Sequence, residues 1–205
     1  MKKLFQILAV LLLAYTSAFS STTDSLFIKL PDNLIPTLTS KQRYELTEYF
    51  KAGKNDSVKN LVGSNTILLK YDTASCHIIV KTSATGTTEI KRLNASNHSF
   101  SIAIINTISQ PIMFSTLSFY NENWQRIAIK VELPETKSWI NYTKITTSDI
   151  EASWIETILD KKYYSMKFND SNELDVRNNV LSTLSVADRK LVEPYFIDKS
   201  IQIQF

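Results

Sequence analysis

Glycine, histidine and cysteine are scarce in this 205-residue sequence, which holds three, two and one of them respectively. An average composition would give about fourteen glycines at this length. The GxGxxG, GxxxxGK[ST] and GxSxG patterns are all missing, which removes phosphate-cradling loops and the nucleophile elbow. Two histidines 21 positions apart, His77 and His98, make no HxH or HExxH pattern. A zinc site would have to recruit carboxylates through the fold. Cys76 stands alone, so no internal disulfide can form and stability must come from a packed core. Beyond Lys2-Lys3, basic residues adjoin only as the pairs Lys91-Arg92, Lys161-Lys162 and Arg189-Lys190. That is too thin an electrostatic footprint for nucleic-acid binding.

What is present at the start is an address. Lys2 and Lys3 precede an apolar run from Leu4 to Tyr15, broken only by Gln6, and small residues lead to Ala18-Phe19-Ser20. A basic segment, a short apolar segment and an A-x-S site form a secretory signal peptide over 1–20. The run is shorter than the roughly 20 residues a membrane-spanning helix needs. Cleavage after Ser20 takes the basic residues from 23 to 21 against 20 acidic ones. The expected product is a nearly neutral periplasmic or secreted protein with no membrane span.

The whole chain is 43% hydrophobic and 21% charged, ordinary for a globular protein. Phe27 to Leu30 leads into a turn-rich, extended entry with Pro31 and Pro36. Thr39 and Gln42 fit a capping box, Leu46, Tyr49 and Phe50 share a helix face, and Gly53 sits where a helix ends. From residue 66 the period becomes two. Ile67–Tyr71, His77–Lys81, Glu89–Leu93, Phe100–Thr107, Ile112–Tyr120 and Arg126–Leu133 read as strands, the last with the cleanest alternation. Short turns between them favour an antiparallel meander of five or six strands. Ser148 to Glu151 is a second capping box, opening a helix whose buried face would be Ile150, Trp154 and Ile158. Strands follow at Tyr164–Phe168, from Leu174, and at Ile201–Phe205, with a short helix at Ser185–Glu193. The fold class is α+β, the sheet packed by two amphipathic helices. The division is 21–133 for the first helix and sheet, and 138–205 for a smaller C-terminal α+β portion.

Leu30-Pro31-Asp32, Ile35 to Thr39, Arg43, Asn60, Gly63, Asn106-Thr107, Pro111, Phe119-Tyr120 and Trp124 together resemble a family of secreted Bacteroidales proteins. It is known only as domain-of-unknown-function family 3256. The resemblance is carried by residues 27–133, while 134–205 match in element order alone. It implies an exported protein with no assigned activity, and it brings no catalytic residues.

Candidate chemistry is sparse. Cys76 and His77 as neighbours on one strand would point to opposite faces, which rules out a thiol–imidazole pair between them. Glu173 with Asp175, and Asp149, Glu156 and Asp160 on the second helix, are the carboxylates that could do acid/base work. No catalytic residue, metal ligand or cofactor is assigned. The C-terminal Ile201 to Phe205 looks like the last strand of an outer-membrane barrel, but two amphipathic helices and short strands oppose that reading. For ligand contacts the aromatic and amide-bearing loops stand out: Asn121, Asn123 and Trp124 in one turn, Trp139 and Tyr142 in another segment. Trp154 reads as core. Ser25, Ser57 and Thr73, each after an aspartate and before a small apolar residue, match an O-glycosylation acceptor pattern. The function expected is non-catalytic binding or interaction at the cell envelope, with a glycan or envelope protein as partner. A hydrolase of glycan or peptide acting through carboxylates is the alternative.

Overall fold

The computed structural model describes residues 26–94, 100–146 and 151–204. Contacts divide the chain into two compact units. One takes the chain up to Ile104 together with Phe119–Ile127, the other Ile105–Ser118 and Ala128–Phe205.

In the first unit, residues 26–28 are helical and Asp32–Leu34 form a 3-10 turn, so the entry expected to be extended is coiled instead. Helix α1 (Ser40–Lys51) starts as its sequence dictates. Thr39 Oγ1 accepts from the Gln42 N–H at 3.3 Å, and the Thr39 N–H donates to Gln42 Oε1 at 2.8 Å. It ends at Gly53, whose φ of +68° a glycine adopts without strain. Seven strands follow in one sheet: β1 (Val58–Lys59), β2 (Asn65–Asp72), β3 (His77–Lys81), β4 (Gly86–Asn94), β5 (Phe100–Ile108), β6 (Phe114–Tyr120) and β7 (Arg126–Ile127). Their spatial order is their chain order. The meander is therefore real and one strand longer than the pattern promises, β1 being too short to show a period. Leu46 of α1 packs with Leu68, Ile78, Val80, Ile90, Ile102 and Ile104 of the sheet and with Phe27, Leu30 and Leu38 before the helix.

Buried polar side chains lock this unit. The Arg43 guanidinium, 1% exposed, donates to the carbonyls of Ile28, Leu30 and Leu38 and to Asp32 Oδ1 at 2.9 Å. Five donors in a fixed fork suit a set of converging acceptors. Asn60 does the same at the β1–β2 turn. Its Oδ1 accepts from the N–H groups of Val62 and Ser64, and its Nδ2 donates to Thr82 O and Thr66 Oγ1. Gly63, at φ +81°, completes that turn.

Two strand expectations fail in the large sheet. Cys76 lies in the Thr73–Cys76 turn at φ +47°, not on the strand with His77. Strand β6 begins at Phe114 because Ile112 and Met113 belong to the turn after the cis Gln110–Pro111 bond.

The largest departure is Arg126–Leu133. Only Arg126–Ile127 pair, with Tyr120 and Phe119 of β6. Residues 128–133 have no regular structure, and Ile129 and Leu133 are both 38% exposed. Alternation specifies a strand only where another strand or an apolar layer receives it.

The second unit holds a three-stranded antiparallel sheet in the order β10 (Ile201–Ile203), β9 (Leu174–Asn178), β8 (Tyr164–Phe168). Tyr164, Met166, Phe168, Leu174 and Val176 are buried on alternate positions, as their period demands. The unpaired Met166 N–H donates to Ser115 Oγ at 3.0 Å, and that hydroxyl also bonds Thr107. Helices α2 (Tyr142–Ile145), α3 (Ala152–Leu159) and α4 (Val186–Val192) complete the unit. The box at Ser148 falls outside the described residues. Glu151 stands at the N-cap of α3 in extended conformation, without a side-chain cap bond. The buried residues of α3 are Ile155 and Leu159, packed with Ile140, Ile145, Val180 and Val192. Trp154 is 38% exposed. The buried face is thus turned about 100°, one residue step, from the one expected.

Candidate functional site

The 3-10 turn Thr136–Trp139 and helix α3 form the two walls of an open groove of about 580 Å³. Each wall is fixed by an apolar anchor on its far side. Trp139 is fully buried, its ring stacked 6.4 Å from Phe196 at 15° and 6.0 Å from Tyr164. The Tyr164 hydroxyl, its pKa raised chiefly by burial, donates to Pro134 O at 2.7 Å and holds the chain as it enters the turn. On α3, Ile155 and Leu159 face the core, so Ser153, Glu156, Thr157 and Asp160 share the opposite, groove-lining side.

Every lining residue carries a polar group. Glu135, Glu156 and Asp160 bring three carboxylates, Lys137 and Lys162 two ammonium groups, and Thr136, Ser153 and Thr157 three hydroxyls. Thr136 Oγ1 donates to Asp160 Oδ1 at 2.8 Å, a bond from one wall to the other. The Tyr142 hydroxyl donates to Glu156 Oε1 at 2.6 Å. Burial, and then the Glu156 carboxylate, push the Tyr142 pKa up to about 12. The phenol therefore stays a donor at any physiological pH, which fixes Glu156 as its acceptor. Trp154, on the same helix, is exposed and is not one of the residues that line the groove. The groove offers donors and acceptors at close intervals.

Of the residues expected to contact a ligand, Tyr142 touches a lining residue of the groove and Trp139 braces its wall from inside the core. The turn with Asn121, Asn123 and Trp124 belongs to the first unit. There Asn121 Oδ1 accepts from the N–H groups of Asn123 and Gln125, and its Nδ2 donates to Gln125 Oε1. Asn121 thus shapes the turn with its whole amide. Trp124, at φ +60°, is half-buried against the core and 6.5 Å from the Tyr120 ring, and Asn123 is exposed. Trp154, read as core, is the most exposed of the three tryptophans.

The other expected chemistry lies elsewhere. Glu173 and Asp175 share Asn169 Nδ2, at 3.0 and 3.5 Å, and Gln204 also donates to Glu173. Those amides, Asn169 first, hold the Glu173 carboxyl below the usual range. Asp149 and His98 lie outside the described residues. His77 Nε2 bonds Glu89 Oε1 within the sheet, both buried, with buried Lys91 directly opposite His77 in the register. Cys76 is buried, its Sγ 3.9 Å from Thr73 O. Among the described residues no three His, Cys, Asp or Glu side chains gather as a metal-binding group. Ser57 is exposed in the loop before β1. Thr73 is exposed in a turn whose Asp72 carboxylate accepts from the N–H of Ala74 and of Ser75, and Ser25 is outside the described residues.

No curated protein matches this chain. A solved structure described as a domain of an uncharacterized protein from Porphyromonas gingivalis W83 is similar, with a TM-score of 0.69 and 19% identity. The match covers 86% of this chain and 90% of that one. At that identity the likeness concerns the fold, which is α+β in both. The model of the family described as "Protein of unknown function (DUF3256)" matches residues 15–204, and the chain belongs to that family.

Proposed function

We propose that the protein is an exported, non-catalytic binding protein of the cell envelope, and that a glycan occupies the groove between Thr136–Trp139 and α3. The observation that carries this reading is the groove lining of hydroxyl, carboxylate and ammonium groups, on a helix that also exposes Trp154. A sugar offers hydroxyls that both donate and accept, and an apolar ring face that stacks on indole. Export rests on Lys2-Lys3, the Leu4–Tyr15 run and Ala18-Phe19-Ser20, and no helix of the described residues is long and apolar enough to cross a membrane. N-terminal sequencing from the native host is expected to begin at Ser21 or within two residues of it. Intact mass of the same material reads out glycan at Ser25, Ser57 or Thr73.

The test of binding is a glycan and peptide array followed by calorimetry. Glu156→Gln with Asp160→Asn is expected to weaken glycan binding at least tenfold while Trp124→Ala leaves it unchanged. Binding that ignores the groove substitutions and falls with Asn123→Ala or Trp124→Ala would move the site to the β6–β7 turn. A hydrolase is the second reading, favoured by the three carboxylates in one groove. Glu156 and Asp160 each give an oxygen to a protein hydroxyl, which suits holding a ligand better than cleaving it. Release of fragments from a bound glycan, abolished by Glu156→Gln, would establish hydrolysis instead.

A further inference from the structure

Residues 128–133 have the composition of a strand and none of its bonds. Ile127, Ile129, Val131 and Leu133 alternate with Arg126, Ala128, Lys130 and Glu132, yet the ladder to β6 stops at Ile127. Among the described residues, no backbone N–H or carbonyl of 128–133 has a hydrogen-bond partner. Five of these six residues are exposed, and Val131 is half-buried. Lys130 and Glu132 project into solvent, 3.0 Å apart. Such a segment is a template for an added strand.

We propose that this segment pairs antiparallel with the same segment of a second copy of the chain, centred on Val131. In antiparallel pairs, residues directly opposite share a face of the sheet. An offset by one residue would set Lys130 against Val131 and mix the apolar and polar rows. A centre on Lys130 opposes two lysines, and a centre on Glu132 opposes two glutamates. Centring on Val131 places Lys130 of each copy against Glu132 of the other, and Ile129 against Leu133, twice over. This is the isologous contact of a two-fold dimer. Pro134, with no N–H to offer, ends the ladder. Five residues a side bury less than the roughly 1,200–2,000 Å² of a standard stable interface, so the dimer is a weak one.

Sedimentation equilibrium of the mature chain, up to about 500 µM, is expected to show a monomer–dimer equilibrium in that weak range. Lys130→Glu and Glu132→Lys each place like charges opposite one another and are expected to weaken it about tenfold. Mixed together, the two variants have complementary edges and are expected to associate at least as well as the parent chain. Val131→Pro, which removes a central donor, abolishes association in every combination. Both charged side chains are more than 80% exposed, so the reversals leave the fold intact, as circular dichroism checks. A chain that stays monomeric throughout, association indifferent to the reversals, or a mixture no tighter than either variant alone would each overturn the proposal.

Discussion

The two units use their polar residues in opposite ways. In the first, Arg43, Asn60, His77 and Glu89 are all buried. Arg43 and Asn60 bind carbonyls and N–H groups that no helix or sheet satisfies. In the second, Thr136 bonds to Asp160 and Tyr142 to Glu156 at an open groove. Buried polar networks specify a unique packing, because any partner left unpaired is costly. Partly solvated networks cost little to break and leave lone pairs and protons for a ligand. The first arrangement holds the fold, and the second leaves its polar groups open to solvent.

Substitutions can break that contrast. Arg43→Met leaves the Leu30 and Leu38 carbonyls and Asp32 without the guanidinium donor, while Ile28 O keeps Ser40 Oγ. It is expected to lower the unfolding free energy by about 5 kcal/mol, the upper end for breaking a buried charged network. Arg43→Lys recovers little, since one ammonium cannot span the fork. Urea titration followed by fluorescence measures both. Trp139→Ala empties the core behind the groove wall and is expected to cost about 4 kcal/mol. A loss under 1 kcal/mol would show that the turn stands without its anchor.

Tyr142→Phe tests the groove network at about 1 kcal/mol, the worth of one hydrogen bond to a carboxylate in a partly solvated setting. It also has a pH signature. The folded-state pKa of about 12 lies above the ordinary 10.0, so the Tyr142 contribution is fully present below pH 10 and is lost as pH rises toward 12. Denaturation midpoints of the parent chain should therefore decline more steeply over that window than those of Tyr142→Phe. Parallel curves would place Tyr142 in ordinary solvent. Smallest of all, Trp154→Ala is expected to shift stability by less than about 0.5 kcal/mol, while affinity for a stacking ligand falls.

The sequence is legible where one local rule decides the outcome. Thr39 and Gln42 could serve only a helix start, and Gly53 its end. His77–Lys81 and Tyr164–Phe168 are strands at the residues where the period places them. It misleads where two local patterns compete. Helix α3 carries two adjacent apolar rows, Trp154 with Ile158 and Ile155 with Leu159; the second is buried, while Ile158 is partly buried against the same cluster and Trp154 is exposed. Arg126–Leu133 shows that even perfect alternation needs a partner strand. The groove was visible only as isolated acids, because the Thr136–Asp160 and Tyr142–Glu156 bonds join residues 24 and 14 positions apart. Arg43 and Asn60 entered as parts of a family resemblance, and nothing in their neighbourhood marks them as buried.

The strand order of the large sheet has a consequence for how the chain folds. Every strand from β2 to β7 lies beside its predecessor, so each added ladder closes only a short loop, at low entropic cost. Topologies built from such neighbouring contacts fold faster than sheets that wait for a distant strand. A chain emerging from its N-terminus can lay down β2, β3 and β4 as they appear. The growing edge is always the strand formed last, and β7 is where that growth stops.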